Sequence, residues 1–182
     1  MLHLEIRRPS SRDTEELCEF FRIVITDTFM KEGIEELLDD IEDEINSKII
    51  HLENDFESGG TQHYFLIAVH KREIIGSIEI GPANEIIRNA TNMASQDSIE
   101  LGTVFVHPHY QRNGVGNVLL KAMYSAMRQK GIKEFMLDSG YKTAQQIWAK
   151  KFGESQYLLK DYWGKANDHM IWKVNIDDVA EQ

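Results

Sequence analysis

The segment Gln111–Gly116 combines residue types and spacing that suit phosphate binding. It follows an apolar, strand-like segment at Ile99–Val106 and precedes apolar residues that recur at helical spacing. Glycines remove the side chains that would hold a ligand away from the backbone. The first N–H groups of a helix have no partner within the helix, and they lie at the positive end of its dipole. The sequence therefore predicts a phosphate-binding loop at this helix start.

Two familiar phosphate-binding loops do not match this segment. A P-loop requires Gly-Lys-Ser/Thr at the helix entry, whereas Gly116 is followed by Asn117 and Val118. A dinucleotide-binding fingerprint requires a small residue three places after its second glycine, where this chain has Leu119. A different phosphate-containing ligand is therefore expected.

The run Gln111-Arg112-Asn113-Gly114-Val115-Gly116 resembles the Gln/Arg-x-x-Gly-x-Gly/Ala signature of the GCN5-related N-acetyltransferase (GNAT) superfamily. Val106-His107-Pro108, where the upstream strand ends at a proline, is a common feature of the same family. In that family the loop holds the pyrophosphate of acetyl-coenzyme A. The resemblance implies an enzyme that uses acetyl-CoA as co-substrate and transfers its acetyl group to a primary amine of a small molecule or peptide.

The resemblance also implies which residues bind the coenzyme. In the family, two parallel strands splay apart and the pantetheine arm inserts between them. The backbone of Val104, Phe105 and Val106 is expected to pair with the pantetheine amides, and Gly102 is the expected position of the bulge that opens the sheet. The pyrophosphate is expected at the backbone N–H groups from Gln111 through Gly116, with Asn117. The Arg112 side chain either adds a charged contact or faces solvent.

Glu100 is the candidate general base. An aliphatic ammonium group has a pKa near 10, so the acceptor must lose a proton before it attacks. Glu100 lies eleven positions before Gln111, and in histone-type members of the family a glutamate at that offset serves as general base. Desolvation at the floor of a cleft would make a carboxylate more basic. The alternative is a glutamate in a hydrogen-bonded structural role.

The chain departs from the family at the position of the usual general acid. Small acetyltransferases often carry Asn-x-x-Ala-x-x-Leu/Phe-Tyr on the last helix, where this chain has Tyr141 at the Asn position and Trp148 at the Tyr position. An indole cannot donate a proton as an acid. Tyr141 is the catalytic candidate in its place; water, Tyr162 or unassisted departure of the thiolate are the alternatives. Trp148 either packs beside the thiol end of the coenzyme or fills core.

Composition limits the remaining function classes. The 182 residues suit a single domain spanning 1–182. The formal net charge of −10 argues against nucleic-acid binding and is compatible with a cationic amine acceptor. No apolar run reaches membrane-spanning length, and the N-terminus carries charges where a signal peptide would be apolar, so we expect a cytoplasmic protein that does not bind membranes.

No metal site is expected from the sequence. Cys18 is the single cysteine, which excludes a thiolate cluster, and the seven histidines show no ligand-type spacing such as His-Glu-x-x-His.

The predicted fold is α/β (α+β): the GNAT fold, with a mixed, mostly antiparallel sheet of six to seven strands, flanked by about four helices, with a splayed central strand pair. Apolar periodicity and turn residues predict the elements. They are strands at 2–8, 64–69, 74–80, 98–106, 132–137, 157–162 and 170–176, and helices from about 14 to 33, 34–57, 111–130 and 143–152. A variable surface loop that can contain a helical turn is predicted over residues 83–97.

Two other functions remain open from the sequence. One is a non-catalytic acyl-CoA-binding sensor or scaffold, which the missing Asn and Tyr would suit. The other is an acetyltransferase that acts on a protein N-terminus or lysine. A homodimer is expected only because members of the family commonly form one.

Overall fold

The computed structural model describes residues 2–92 and 98–179, which form seven strands and five α-helices. Two short 3-10 turns, Ser11–Asp13 and Pro108–Tyr110, accompany them. The elements in chain order are β1 (Glu5–Arg7), α1 (Thr14–Glu32), α2 (Leu38–Ser58), β2 (Tyr64–His70), β3 (Glu73–Pro82), α3 (Glu85–Thr91), β4 (Ile99–Val106), α4 (Val115–Gln129), β5 (Glu134–Ser139), α5 (Lys142–Phe152), β6 (Tyr157–Leu159) and β7 (His169–Asn175). Within these ranges no helix combines the length and apolarity of a membrane span.

The strands form one mixed sheet in the order β1-β2-β3-β4-β5-β7-β6. The pairs β1–β2, β2–β3, β5–β7 and β6–β7 are antiparallel, whereas β4 and β5 are parallel, in register at Glu100 and Met136. Lys71 and Arg72 connect β2 to β3 with φ values of +49° and +73°, as a two-residue hairpin turn requires. The sheet confirms the predicted mixed, mostly antiparallel fold.

The chain groups into two compact units. The first contains the chain up to Ile80 together with Thr103–Ala126. Its core is built from the apolar faces of α1 and α2 and from the continuously buried runs of β2 and β3; the ring of Phe21 packs against Phe65 and Phe105 at centroid distances of 6.3 and 6.2 Å. A side chain at Gly76 would meet Val115 and Leu119 within about 3 Å, so this glycine allows α4 to pack directly on β3.

The second unit contains the described parts of Gly81–Gly102 and the chain from Met127. Its buried cluster is formed by Ala83, Ile87, Met136 and Ile171. β5 pairs along its whole length with β7, from Glu134–Asn175 to Ser139–Met170. This unit carries α3, α5 and the hairpin β6–β7.

Several element boundaries differ from the sequence prediction; β1, for example, covers only Glu5–Arg7 of the predicted 2–8. Within the predicted loop, residues 85–91 form the two-turn helix α3, whose first turn is capped by the Asn84 side chain accepting from the Ile87 N–H at 2.9 Å; positions 93–97 of that loop lie outside the described residues. α2 begins at Leu38, after a left-handed Gly33 ends α1 and a turn follows. α4 begins at Val115, and β6 already ends at Leu159.

Candidate functional site

The predicted phosphate loop lies in the first unit and leads directly into α4. Arg112 and Gly114 have φ values of +61° and +82°, and α4 begins at the next residue, Val115. The first intrahelical bond runs from the Val118 N–H to the Gly114 carbonyl at 3.1 Å. The N–H groups at the very start of α4, such as that of Gly116, come before this first bond and have no helical carbonyl to which they can donate. Residues 112–114 and 117 are exposed, which fits a bound phosphate.

Gln111 ties this loop to two neighbouring elements. The side-chain Nε2 of Gln111 donates to the backbone carbonyl of Val106 at 3.2 Å, and its side-chain Oε1 accepts from the Lys31 ammonium at 2.9 Å. Lys31, the penultimate residue of α1, also pairs with Asp27 at 2.5 Å. The ammonium group of Lys31 therefore lies beside the phosphate loop, although Lys31 is 80 positions away in the sequence. The sequence pattern did not predict this contact. The Asn113 side chain closes the loop by donating to the Gln111 carbonyl.

β4 is kinked just before the segment predicted to pair with pantetheine. Thr103 has a φ of +50°, which is strained for a β-branched residue. The kink is held by two side-chain hydrogen bonds: the Thr103 hydroxyl donates to Glu79, and the Ser77 hydroxyl donates to the Thr103 carbonyl at 3.0 Å. Gly102, the expected position of the bulge, is the residue directly before this kink, and the bulge itself stays a prediction. Val104, Phe105 and Val106 follow it and are half-buried.

Glu79 is the centre of a buried polar cluster that the sequence analysis did not predict. Its two carboxylate oxygens contact different imidazoles: His51 Nδ1 lies 3.0 Å from Oε1, and His63 Nδ1 lies 3.1 Å from Oε2. The two rings stack with centroids 4.2 Å apart. Burial raises the pKa of Glu79, but the hydrogen bonds from His51 and His63, with attraction to Lys48, outweigh it and hold the pKa well below its usual range. The carboxylate is therefore ionised.

The cluster also has the composition of a metal site, because the ligand atoms of His51, His63 and Glu79 lie within 4.8 Å of one another. Metal-bound imidazoles direct their in-plane lone pairs at one point. Two face-stacked rings that contact separate oxygens do not do so, and hydrogen bonds account for the arrangement. The absence of a metal stays a prediction.

In the second unit, a continuous hydrogen-bonded chain connects Glu100 to the β6–β7 connection. The Asn84 N–H donates to Glu100 Oε2 at 2.7 Å, and the Asn84 side chain donates to Asp138 Oδ2 at 2.9 Å. His169 Nε2 lies 2.8 Å from the same Asp138 oxygen, and the Trp163 indole N–H donates to His169 Nδ1 at 3.0 Å. Glu100 thus keeps the hydrogen-bonded position that the sequence analysis gave as its structural alternative.

The structure fixes the tautomer of His169. An indole nitrogen only donates, so His169 Nδ1 must be the acceptor. His169 Nε2 therefore carries the hydrogen and donates to Asp138, and the ring is 5% exposed. The pair Asp138–His169 holds the exposed Trp163 ring in place.

Tyr141 and Trp148 lie on or beside α5. Tyr141 is the N-cap residue of that helix; its N–H bonds to the Ser139 hydroxyl at 3.0 Å, and its carbonyl accepts from the Gln145 N–H. Trp148 stacks on Phe152 with centroids 5.8 Å apart. Trp148 is half-buried, so the stack does not decide between core filling and a place beside the coenzyme. Its contact with a coenzyme stays a prediction, as does the role of Tyr141.

Gly140 should be intolerant of alanine because of Trp163. A Cβ at Gly140 would lie 2.5 Å from the Trp163 indole nitrogen. We expect Gly140→Ala to displace the indole, break its bond to His169 and cost about 1 kcal/mol of stability. The Trp163 fluorescence, obtained by subtracting the spectrum of the corresponding Trp163→Phe protein, should shift to longer wavelength. Gly116→Ala is the control, since a Cβ there meets one atom at 3.7 Å; an unchanged Trp163 spectrum in Gly140→Ala would contradict the packing.

Comparison with known proteins identifies the family. Residues 22–153 match the model of the Acetyltransferase (GNAT) family. A search of curated protein sequences finds no match. The chain is similar in structure to a GNAT-family protein from Desulfovibrio desulfuricans (TM-score 0.71, 15% identity, covering 96% of this chain and 99% of that one).

Two further similar structures contain a coenzyme. The PaiA N-acetyltransferase from Thermoplasma acidophilum, in complex with coenzyme A, gives a TM-score of 0.67 at 22% identity and covers 95% of this chain and 100% of its own. YncA from Salmonella typhimurium, with acetyl-CoA, gives 0.68 at 15% identity and covers 99% and 98%. These likenesses show the fold, and the family match covers more than half of the chain. The protein therefore belongs to the GNAT acetyltransferase family.

Proposed function

We propose that this protein is an N-acetyltransferase that moves an acetyl group from acetyl-CoA to a primary amine of a small molecule or peptide. The main support is the segment Gln111–Gly116, which follows β4, is exposed at residues 112–114 and forms the start of α4. An anionic pyrophosphate fits there because the N–H groups of a helix's first turn point outward along its axis and the helix dipole favours negative charge. Lys31 adds a cation held next to Gln111.

Each predicted residue has a defined task in this proposal. The backbone of Val104–Val106 pairs with the pantetheine arm, and the loop with Asn117 holds the pyrophosphate. The Val106 carbonyl already accepts from Gln111, so its second lone pair is the one left for the coenzyme. Acetyl-CoA supplies the activated acyl group as a thioester.

The acceptor nitrogen loses two protons when an ammonium becomes an amide. One of them ends on the coenzyme sulfur and the other leaves the protein. As the C–N bond of the amide forms, the C–S bond of the thioester breaks; Glu100 accepts the proton that the nitrogen loses, and Tyr141 donates the proton that the sulfur gains. Glu100 then releases its proton to solvent and Tyr141 regains one from solvent, so both residues return to their starting states.

Binding of the coenzyme is the first test. In a calorimetric titration of the purified protein, acetyl-CoA should bind with micromolar affinity, whereas NAD and ATP should bind much more weakly. Equal affinity for all three ligands would indicate a general anion site and would contradict the proposal.

Glu100→Gln tests the assignment of the base. The amide oxygen of glutamine can still accept from the Asn84 N–H, so the fold should be kept. We expect kcat to fall by a factor of about 100 or more, with little change in the Kd for acetyl-CoA. Glu134→Gln, an exposed glutamate on β5, is the matched control. Unchanged turnover would leave Glu100 with its structural role, and a wild-type protein that binds but never acetylates would favour the sensor alternative.

A further inference from the structure

Glu79 differs from two other buried carboxylates of the first unit in the partners that surround it. Asp13 pairs with Arg7 at 2.7 Å, and Asp55 pairs with Arg8. Glu79 is 3% exposed, and its described partners are two imidazoles and the Thr103 hydroxyl. Asp13 and Asp55 are each paired with an arginine, which stays charged, whereas Glu79 is paired with histidines, whose imidazoles can gain or lose a proton.

The ionised Glu79 fixes the tautomer of both histidines. A carboxylate only accepts hydrogen bonds, so His51 and His63 must both donate from Nδ1. In neutral imidazole the other nitrogen, Nε2, then carries a lone pair. Among the described residues Nε2 of His51 has no hydrogen-bond partner. This carboxylate–imidazole arrangement orients a histidine and stabilises the proton that it gains.

Access and position distinguish His51 from His63. The His51 side chain is 31% exposed, whereas that of His63 is 10% exposed, so protons can reach solvent through His51. The cluster also lies one hydrogen bond from the β4 kink, because Thr103 donates to Glu79. Thr103 directly precedes Val104, the first residue assigned to the pantetheine arm.

We propose that His51 is a catalytic residue that takes the proton lost by the acceptor ammonium before attack, and that Glu79 is the residue that positions it. This inference rests on the proposed acetyl transfer. In the step, an N–H bond of the ammonium breaks, its electron pair stays on nitrogen, and the proton bonds to His51 Nε2. The imidazolium then releases that proton to solvent, which accounts for the one proton that the overall reaction produces. Glu100 acts later, as the amide forms.

The charges around His51 favour this role. Glu79 attracts the imidazolium, while Lys48 on the same helix and the stacked His63 oppose it. Asp55, also on α2, is neutralised by Arg8. Of these charges, the Glu79 carboxylate is the one that is hydrogen-bonded to the His51 ring, at 3.0 Å from Nδ1.

Two amines of nearly the same size separate a proton acceptor from a structural residue. Ethylamine is an ammonium ion at pH 7, whereas 2,2,2-trifluoroethylamine is neutral and needs no deprotonation before attack. We expect His51→Gln to lower kcat/KM for ethylamine by a factor of about 100, and for trifluoroethylamine by no more than about 3. The assay follows thiol release from acetyl-CoA at pH 7. Glutamine can still donate to Glu79, and the Kd for acetyl-CoA should be unchanged.

Controls make either result decisive. His70→Gln removes a different histidine, which bonds to the His3 carbonyl, and should leave both rates unchanged. In His51→Ala, free imidazole should restore part of the ethylamine rate. Equal loss with both amines, or no loss, overturns the role of His51 and leaves the proposed function intact. A wild-type protein that binds acetyl-CoA but acetylates neither these two amines nor any member of a panel of larger amines and peptides contradicts the proposed function itself, and the proton role with it.

Discussion

Gly116→Asp is expected to weaken acetyl-CoA binding by a factor of about 100 or more. A carboxylate in the first turn of α4 would lie where the pyrophosphate is proposed to bind. Like charges about 4 Å apart repel by several kcal/mol in a partly buried setting. The same substitution should not harm the fold, because a Cβ at Gly116 meets one atom, Val106 Cγ2, at 3.7 Å. An acidic residue near a helix N-terminus is also slightly stabilising. Isothermal titration calorimetry measures the affinity.

Two comparisons separate the effect of the introduced charge on coenzyme binding from the effect of the added side-chain volume. Gly116→Asn has nearly the same shape without the charge, so it should bind acetyl-CoA more tightly than Gly116→Asp. S-acetylpantetheine lacks the pyrophosphate, so its affinity should be the same for both variants. If Gly116→Asp weakened both ligands equally, the loop would not be the pyrophosphate site.

The phosphate loop could be predicted because its determinants are local. A strand, a proline, two glycines and an amphipathic helix follow one another within about 30 residues, and each has a direct conformational meaning. The sheet was predictable for a similar reason, because alternating and continuous apolar runs mark strands. The start of α4 was predicted four residues too early, since Gln111–Gly114 form a turn that its composition alone does not separate from a first helical turn.

The polar cluster around Glu79 could not be predicted, because its members come from separate elements. His51 lies on α2, His63 precedes β2, Glu79 lies on β3 and Thr103 on β4. Their contacts depend on strand register and on how α2 packs, which sequence spacing does not encode. One local signal existed: Glu79 is a charged residue with an isoleucine on each side, within a strand whose interior is otherwise uncharged. A buried charge requires partners, so that position pointed to a polar cluster without identifying it.

The hydrogen bonds around Asp138 could not be predicted from the sequence for a different reason. Asn84 caps α3 with its side-chain oxygen while its side-chain nitrogen binds Asp138, and its backbone N–H binds Glu100. The sequence predicts a variable surface loop that can contain a helical turn around Asn84, because α3 has only seven residues and few apolar positions. The capping role of Asn84, and with it the contact of Asn84 with Glu100, could not be predicted from that pattern.

Glu79→Ala is expected to lower the free energy of unfolding at pH 7 by about 3 kcal/mol or more. The substitution removes the acceptor for three donors, one of which, the Thr103 hydroxyl, holds the kinked backbone of β4. Hydrogen bonds to a buried charge contribute about 1.5 to 3 kcal/mol each, and a buried donor left without a partner adds a further cost. Urea denaturation followed by circular dichroism measures the loss. Glu134→Ala, which removes an exposed pair with Lys173, should change stability by less than about 1 kcal/mol.

The stabilisation by Glu79 should also depend on pH in a defined direction. The folded pKa of Glu79 lies below that of an unfolded glutamate, which is about 4.3. Its contribution is therefore complete above about pH 4.3 and is lost as the pH falls toward the folded value. The stability difference between wild type and Glu79→Ala should narrow as the pH falls below about 4.3. A difference that stayed constant down to pH 3 would contradict an ionised Glu79.

Asp55 provides the opposite case within the same unit. Burial raises its pKa, against the opposing effects of the Phe65 N–H bond and Arg8. The folded state therefore binds a proton at Asp55 more readily than the unfolded state, and acid favours folding at this residue. Glu79→Ala should make the slope of stability against pH less positive, whereas Asp55→Asn should make it more positive. Glu79 and Asp55 are both almost completely buried. If the two substitutions change the slope of stability against pH in opposite directions, burial alone cannot explain the effect of Glu79, and its imidazole partners must contribute.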